Sequence, residues 1–583
     1  MSARNLTVAM MNVVTEGDYQ YEQEIPLGIA CVGAYLRDQE YNVIFKQCFV
    51  RREGDTFALI TDENEITGIS ADIYGFQLNT VNYHPVRTVV AKIKSVRPES
   101  ISIFGGPFLC SKSEEILKEE PLYDFIILGE GEVTTLELLK AVGAKRTDLH
   151  SIDGLVWRNE SGDIIRNRQR CVIEDLDTLP FPARDLLEDA KRDLVDGGLI
   201  ESVRMISSRG CVGNCSFCAV NFYHKVHAGK RWRGRSPERV IDEVEYLSKR
   251  YSARVFNFSD SSFEDPGKLG KVRSRRICEG IIRRGVPFSA KVYLRCDSWR
   301  GEEDIELLKL YKEAGVDVVI IGSDAANDSE IKLYGKKATV EDNHRTAKIL
   351  RDLDLFYVLT GFIMFGPNST EETLRENIEF LHKYDFTDNI NFVSNVLMLI
   401  RDSEIYDRLK REGRVIETGR HWELPKYKIR DPLAARVTGH WESLLVRFPN
   451  TREVHSLQTN IGNLIARMTN RMNRKVFEML QDEYLQFKNN YEQLNKEVGK
   501  RQYEYFNNII DLISDDCTDE RLREEASSFF DSTYGRYRLL YSKLYDRFLN
   551  RINDSGVSLS GLVFRHFLSA LAVDGSEKVR CIQ

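Results

Sequence analysis

Between residue 6 and about residue 142, short apolar runs alternate with segments whose apolar residues recur every three or four positions. The strand-like runs cover residues 6–14, 42–45, 73–78, 102–104 and 125–128; the helical ones include 27–37, 86–96 and 113–118. This alternation predicts a parallel, doubly wound sheet that takes ligands at the carboxyl ends of its strands. Glycines stand where a ligand would approach, Gly105 and Gly106 after the fourth strand and Gly129 and Gly131 after the fifth. Without a Cβ the backbone comes close to a bulky group, although the same residues also serve as plain turns.

Residues 151–199 read as a connector, with a hairpin around Glu160-Ser161-Gly162-Asp163 and then Leu179-Pro180-Phe181-Pro182-Ala183, whose prolines end regular structure. From 200 to about 425 a strand–helix rhythm repeats six times, with strands over 203–207, 255–259, 288–294, 316–321, 357–365 and 390–399. Six such units predict a partial (β/α)6 barrel with its function at the strand carboxyl ends. Beyond residue 430 the pattern is helical: Phe477, Leu480, Tyr484, Phe487, Tyr491, Leu494 and Val498 recur at spacings of three and four, as do Tyr537, Tyr541, Leu544 and Phe548. A helical cap packing this aromatic stripe and closing over the barrel mouth is expected. The fold class is therefore α/β, with domains over 1–145 (Rossmann-like), 146–199 (connector), 200–425 (barrel) and 426–583 (helical).

Composition changes this picture little. The 583 residues are 42% hydrophobic and 29% charged, ordinary globular values. A net charge of −7 gives no general attraction to nucleic acid or to an acidic membrane. The one short basic run, Lys230-Arg231-Trp232-Arg233-Gly234-Arg235, suits phosphate contacts or salt bridges to the sheet domain better than nucleic acid. No stretch approaches the roughly 18 apolar residues that span a bilayer, and the amino terminus lacks a cationic segment leading into an apolar run. A soluble, cytoplasmic protein without a membrane partner is expected. Eleven cysteines are few for the length and odd in number, so reduced thiols are expected rather than a disulfide framework.

Three of those cysteines stand apart. Arg209-Gly210-Cys211-Val212-Gly213-Asn214-Cys215-Ser216-Phe217-Cys218 follows a predicted strand and puts three thiolates on one loop at the barrel mouth. Chance placement of the cysteines gives about 0.004 such triplets per chain, so the spacing calls for a chemical reason. Three ligands separated by three and two residues can hold three corners of a cubane cluster and leave one iron open. Zinc is the structural alternative; it wants a fourth ligand, which His224 or His227 would supply.

The CxxxCxxC spacing, with an aromatic residue (Phe217) before its last cysteine, resembles the signature of radical S-adenosylmethionine (SAM) enzymes. The resemblance implies a 4Fe-4S cluster on Cys211, Cys215 and Cys218, whose open iron chelates SAM, and a reductase of the flavodoxin or ferredoxin type whose electron breaks SAM into methionine and a 5′-deoxyadenosyl radical. It places Asp260 against the SAM amino group, Arg295 at its carboxylate, Ser323 and Asp324 near the ribose, and Gly361 beside adenine.

Further segments are similar to radical SAM enzymes with a cobalamin (B12)-binding domain: Pro26-Leu27-Gly28-Ile29-Ala30, Tyr74-Gly75-Phe76, Phe104-Gly105-Gly106-Pro107, Leu128-Gly129-Glu130-Gly131-Glu132, Leu179 to Arg184, and Arg233 to Glu238. The resemblance covers about residues 6–425 and implies cobalamin at the glycine-bearing edge. It also implies methyl transfer to an unactivated carbon of a small-molecule or peptide substrate in natural-product or cofactor biosynthesis. In that scheme the radical removes a substrate hydrogen, the substrate radical takes methyl from cobalt, and a second SAM restores the methyl group. One motif departs from the pattern. The DxHxxG segment that supplies an imidazole to cobalt is absent, and the first loop reads Thr15-Glu16-Gly17-Asp18-Tyr19-Gln20. Without cobalamin the same radical would drive cyclisation, dehydration or rearrangement. Methylthiolating enzymes fit worse: Cys31, Cys48 and Cys110 occur early, but the carboxyl third is helical. A non-catalytic cobalamin or SAM sensor is the remaining alternative, and the intact triplet argues against it.

Overall fold

The computed structural model describes residues 6–16, 26–54, 56–188, 202–418, 423–448 and 450–555. Strands β1 (Thr7–Thr15), β2 (Asn42–Glu53), β3 (Thr56–Leu59), β4 (Ile73–Gln77), β5 (Ile101–Gly105), β6 (Phe125–Ile127), β7 (Leu155–Arg158) and β8 (Ile164–Arg166) form one sheet in the order β3-β2-β1-β4-β5-β6-β7-β8. The five expected strands make its parallel centre, β2-β1-β4-β5-β6. Helices α1 (Leu27–Asp38), α2 (Tyr83–Val96), α3 (Ser113–Glu119) and α4 (Gly131–Gly143) follow the parallel strands. Separate apolar cores, one around Phe76 and Phe104 and one around Val8 and Leu138, lie on its two faces. Burial on both faces is why β1 reads as an unbroken apolar run instead of an alternating one. The strand order reverses between β1 and β4, which opens a crevice at the carboxyl ends there. The β7–β8 hairpin, expected in the connector, pairs antiparallel with β6. Leu155 and Val156 are completely buried against this sheet, so the sheet body runs to Arg166, past the boundary expected at residue 145.

Strands β9 (Val203–Met205), β10 (Val255–Phe258), β11 (Ser289–Arg295), β12 (Val316–Asp324) and β13 (Tyr357–Phe362) form a second, parallel sheet in sequence order. Helices α5 (Ala219–Val226) and α6 (Pro237–Tyr251) lie between the first two strands, and α7 (Gly267–Arg284), α8 (Glu302–Ala314) and α9 (Val340–Leu353) between later ones. Side chains alternate along β11: Ala290, Val292 and Leu294 are buried against helices, while Lys291, Tyr293 and Arg295 face the barrel interior. The register sets interior residues in level rows. Arg204, Asn257, Lys291, Val318 and Tyr357 share a low one, and Arg295, Gly322 and Gly361 share one near the mouth. The sixth expected strand, over 390–399, forms otherwise. Ile390–Ser394 is a short helix capped by Asn389, and a single bridge between Phe365 and Val396 continues the wall. Ile390 and Val393 are both buried, and in so short an apolar run their spacing does not separate helix from strand.

After α10 (Glu371–Lys383), the helical region comprises α11 (Pro432–Arg447), α12 (Asn450–Met468), α13 (Gln481–Ser514), α14 (Asp519–Phe530) and α15 (Arg536–Asp554). The aromatic stripe is its core: Phe487 stacks on Phe548 at 4.1 Å, and Tyr491 meets Tyr541 edge-on. The described residues of this region, which end at 555, do not close over the barrel mouth. It seals the opposite end, where the strands begin. The Asn470 amide donates to the Phe288 carbonyl at 3.1 Å and to the buried Asp317 carboxylate at 2.7 Å, and Lys312 donates to the Ala466 carbonyl at 2.8 Å. Gly462 of α12 lies so close to the Tyr357 ring that a Cβ would fall 2.4 Å from it. Among the described residues no helix is long and apolar enough to cross a membrane.

Candidate active site

Beyond β9 the chain forms a short antiparallel pair, Ser208–Gly210 with Trp232–Gly234, and then enters the cysteine loop. Gly210 has φ +89°, and a Cβ there would lie 1.8 Å from the Arg231 carbonyl oxygen, so this turn requires glycine. Gly213 answers a different need. A Cβ would meet Cys211 Sγ at 3.3 Å and Cys215 Sγ at 3.9 Å, and its amide donates to Cys211 Sγ at 3.2 Å. The Ser216 amide and hydroxyl donate to the carbonyls of Tyr334 and Leu333, both at 2.8 Å, which fastens the loop to the segment after β12.

Cys211, Cys215 and Cys218 line the wall of a cavity of about 870 Å³ inside the barrel. Burial pushes all three thiols up, Cys215 to about 11, and ligation to iron would release those protons. Among the described residues no three His, Cys, Asp or Glu side chains converge tightly enough to hold a single metal ion. A zinc site gathers its sulfurs about one ion at roughly 2.3 Å, which this loop does not offer, whereas a cubane spreads three thiolates over three irons. His224 and His227 pair with each other, ring centroids 5.5 Å apart. The donor set fits the cluster.

Around the cysteines, Phe217 lines the cavity and stands edge-on to Tyr334 at 5.5 Å. Gly322, Asp324 and Gly361 line it at the carboxyl ends of β12 and β13. Asp324, at φ +58°, is ion-paired with Lys336, which also donates to the Gly322 carbonyl at 2.8 Å. Burial alone would lower the Lys336 pKa, but the Asp324 carboxylate and then Cys215 hold it above its ordinary range.

Three expected residues face other partners. Ser323 is completely buried, with its hydroxyl 2.6 Å from that of Thr360. Asp260 reaches the cavity wall, yet its carboxylate accepts from the Ser207 amide and from the hydroxyls of Ser207 and Ser208. The Arg295 guanidinium donates to Asp297 at 2.9 Å and to Asp265 at 3.4 Å, so two carboxylates already answer its charge. Beside it, Glu264 is completely buried. Burial pushes its carboxyl up to about 7, although the Arg295 amide donates to it at 2.8 Å. Sequence reasoning missed Lys336 and Glu264, because nothing in their local pattern marks them.

The edge of the first sheet meets this site through α5, the helix that leaves Cys218. Its four glycines differ in what they do. A Cβ on Gly105 would meet nothing within 4 Å; Gly106, at φ +134°, lies against the Leu78 carbonyl; Gly129, at φ +78°, faces the His227 side chain at 3.6 Å; and Gly131 lets α4 approach Val32 of α1. In the same seam His224 Nδ1, His224 Nε2 and His227 Nδ1 are buried and have no hydrogen-bond partner among the described residues. An open glycine edge beside unpartnered imidazole nitrogens fits a large cofactor rimmed with amides, as a corrin is. Residues 17–20 of the loop that lacks DxHxxG lie outside the described residues. Below the seam Arg209 pairs with Glu130 at 3.1 Å and Glu132 at 2.6 Å, and Arg233 pairs with Glu130 at 2.9 Å. Within the basic run Arg233 and Arg235 bond inward, Arg235 to the buried Glu243, while Lys230 pairs with Glu174 at the surface.

A doubly wound sheet whose ligand edge abuts a partial barrel, with three thiols on the first barrel loop, defines the class of radical SAM enzyme that carries a corrin-type domain. Residues 205–381 match the Radical SAM superfamily, and residues 20–139 match the B12 binding domain. The chain is 30% identical over 362 residues to an uncharacterised methyltransferase of Pyrococcus horikoshii, covering 62% of this chain and 73% of that protein. It is 27% identical over 368 residues to an anaerobic magnesium-protoporphyrin IX monomethyl ester cyclase of Rubrivivax gelatinosus, spanning 62% of that protein's length. Two solved structures share the fold. OxsB, a cobalamin-dependent SAM radical enzyme solved with aqua-cobalamin and SAM bound, superposes with a TM-score of 0.66 at 18% identity over 95% of this chain and 82% of that one. The methyltransferase TsrM from Kitasatospora setae, solved with cobalamin and a [4Fe-4S] cluster, gives 0.52 at 18% identity over 71% and 75%. The chain belongs to the radical SAM superfamily, among the enzymes that carry an amino-terminal B12 binding domain.

Proposed function

We propose that this enzyme cleaves SAM at a 4Fe-4S cluster held by Cys211, Cys215 and Cys218 and uses the radical to place a methyl group on an unactivated carbon of a small-molecule or peptide substrate, in natural-product or cofactor biosynthesis. One juxtaposition carries the reading: three thiols open into the barrel cavity, and the open glycine edge of the sheet adjoins the helix that leaves the last of them. When bound, the cluster supplies the electron that breaks the sulfonium, and cobalamin supplies the methyl group. The chain's own residues position and shield. Phe217 walls the cluster side. Gly322 and Gly361 leave room for the nucleoside, and Asp324, oriented by Lys336, presents an acceptor to the ribose. Asp260 and Arg295 brace the mouth near the SAM amino acid end through their bonds to Ser207, Ser208, Asp265 and Asp297, and Ser323 anchors β12 behind them. Gly105, Gly106, Gly129 and Gly131 would hold the corrin edge, and the barrel walls keep water from the radical. The working domain limits are 1–145 with the hairpin added, 200–425 and 426–583. A flavodoxin- or ferredoxin-type reductase of the cytoplasm is the proposed electron donor.

The test uses protein expressed with cobalamin, purified anaerobically and reconstituted with iron and sulfide. The optical spectrum is expected to show bound corrin, and SAM with dithionite is expected to yield 5′-deoxyadenosine. Alanine at any one of the three cysteines should abolish both the cluster absorbance and the deoxyadenosine. An assembled cluster that leaves SAM intact would overturn the radical reading. Absence of corrin would overturn methyl transfer in favour of ring-forming chemistry, the activity for which the Rubrivivax relative is named.

A further inference from the structure

Behind the cysteine loop lies a small layer with its own core, and the charge on its outer side has no use in the proposed mechanism. The layer consists of the short helix Asp328–Leu333, the helix Glu404–Arg411 and the antiparallel pair Val415–Ile416 with Lys426–Tyr427. Ile331, Leu333, Ile405, Leu409 and Tyr427 meet in its core, and Phe217, which stands between two of the three cysteines, packs against them. Ser216 fastens the loop to both helices: its hydroxyl donates to the Leu333 carbonyl at 2.8 Å, and its carbonyl accepts from the Ile405 amide at 3.1 Å. A layer one helix thick is about 10 Å across, a distance that electrons cross by tunnelling.

Each element of the layer carries cations beside its core residues. Lys332 lies between Ile331 and Leu333, Lys410 and Arg411 follow Leu409, and Lys426 and Lys428 flank Tyr427. All of them are exposed, and none makes an ion pair among the described residues. Lys410 lies over the Tyr406 ring, 5.6 Å from its centroid. Ile416, directly opposite Lys426 in the register, is 43% exposed and shares its outward face. Several neighbouring carboxylates have cations elsewhere: Asp407 has Lys225, Glu412 has Arg414, and Glu417 has Arg401. Asp328 and Glu404 make no ion pair and offset only part of the charge. A chain of net charge −7 thus turns a cationic face to solvent behind its cluster loop.

We propose that this face, Lys332, Lys410, Arg411, Lys426 and Lys428 around Ile416, is the docking site of an acidic, flavodoxin-type one-electron carrier. Charges of opposite sign steer such a partner and orient it, while the exposed isoleucine gives the contact an apolar centre. The inference deepens the proposed function and rests on it for the cluster that receives the electron. In the transfer the anionic flavin hydroquinone gives up one electron and becomes the neutral semiquinone. The cluster gains that electron, passing from its 2+ to its 1+ state, and no proton moves.

Isothermal titration of an oxidised bacterial flavodoxin into the full-length, cluster-reconstituted protein tests this. Saturable binding is expected, weakened about tenfold or more between about 50 and 300 mM salt. The double variants Lys332→Glu with Lys410→Glu, and Lys426→Glu with Lys428→Glu, should each weaken it about tenfold or more. Lys475→Glu with Lys543→Glu, exposed on the helical region, should leave it unchanged. Deoxyadenosine formation driven by flavodoxin hydroquinone should slow in the first two variants, while formation driven by dithionite stays at the wild-type rate. Absence of saturable binding, binding indifferent to both reversals on the face, or equal weakening by the distant pair would each overturn the docking site. So would an equal loss with dithionite, because those lysines would then serve the cluster and not the carrier. The two ideas fail separately. Dithionite-driven deoxyadenosine without flavodoxin binding sinks only the docking site, and flavodoxin binding at this face without any SAM cleavage sinks only the radical reading.

Discussion

Glu264 is a carboxyl held near neutrality by burial, and its consequence is a pH dependence of stability. Its folded value of about 7 lies above the ordinary value of 4.5. The protonated form therefore favours the fold, a contribution fully present below about pH 4.5 and lost as pH rises through about 7. Glu264→Gln keeps an oxygen for the Arg295 amide and should raise stability at pH 8 by about 2 kcal/mol, with little effect at pH 5, as read from urea midpoints. Lys336→Met tests the other residue hidden from sequence reasoning. With Asp324 left without its cation, the KM for SAM should rise about tenfold while the cluster spectrum stays unchanged. The cysteines were legible because their spacing is itself the chemistry. Lys336 and Glu264 were not, since each acquires its role from a partner that only the fold supplies.

At the level of elements, the turn from the Ser208–Gly210 strand into the cysteine loop depends on one backbone conformation. Gly210→Ala forces a side chain into a left-handed residue and against the Arg231 carbonyl. A local cost of about 2 kcal/mol or more is expected, with reconstituted iron per chain falling well below wild type while circular dichroism is retained. The parallel strands were readable because burial on both faces writes continuous apolar runs. The sixth barrel position misled for the same reason, since Ile390 and Val393 suit either a short helix or a strand. For the helical region, the aromatic stripe shows that a face is buried and does not show against what. Its site at the foot of the barrel is fixed by Asn470 meeting Asp317, a pairing across 153 residues that no local pattern records.

Across the whole molecule, the sheet body and the barrel are joined by buried charge. Arg209, two residues before the first cysteine, binds Glu130 and the nearly inaccessible Glu132. Arg209→Ala leaves those carboxylates uncompensated and should cost about 3 kcal/mol. It should also speed limited proteolysis between sheet and barrel, and because the pair is buried the wild-type contact should withstand added salt. The seal at the foot of the barrel sets the order of traffic. With α12 and Asn470 covering the foot, the cavity is expected to fill and empty from above, past the cysteine loop. By that route a substrate seated deep in the barrel enters before SAM settles at the mouth and leaves after methionine and 5′-deoxyadenosine have gone. An unreactive SAM analogue is then expected to inhibit uncompetitively against the substrate, and the radical is made only above a well that is already occupied.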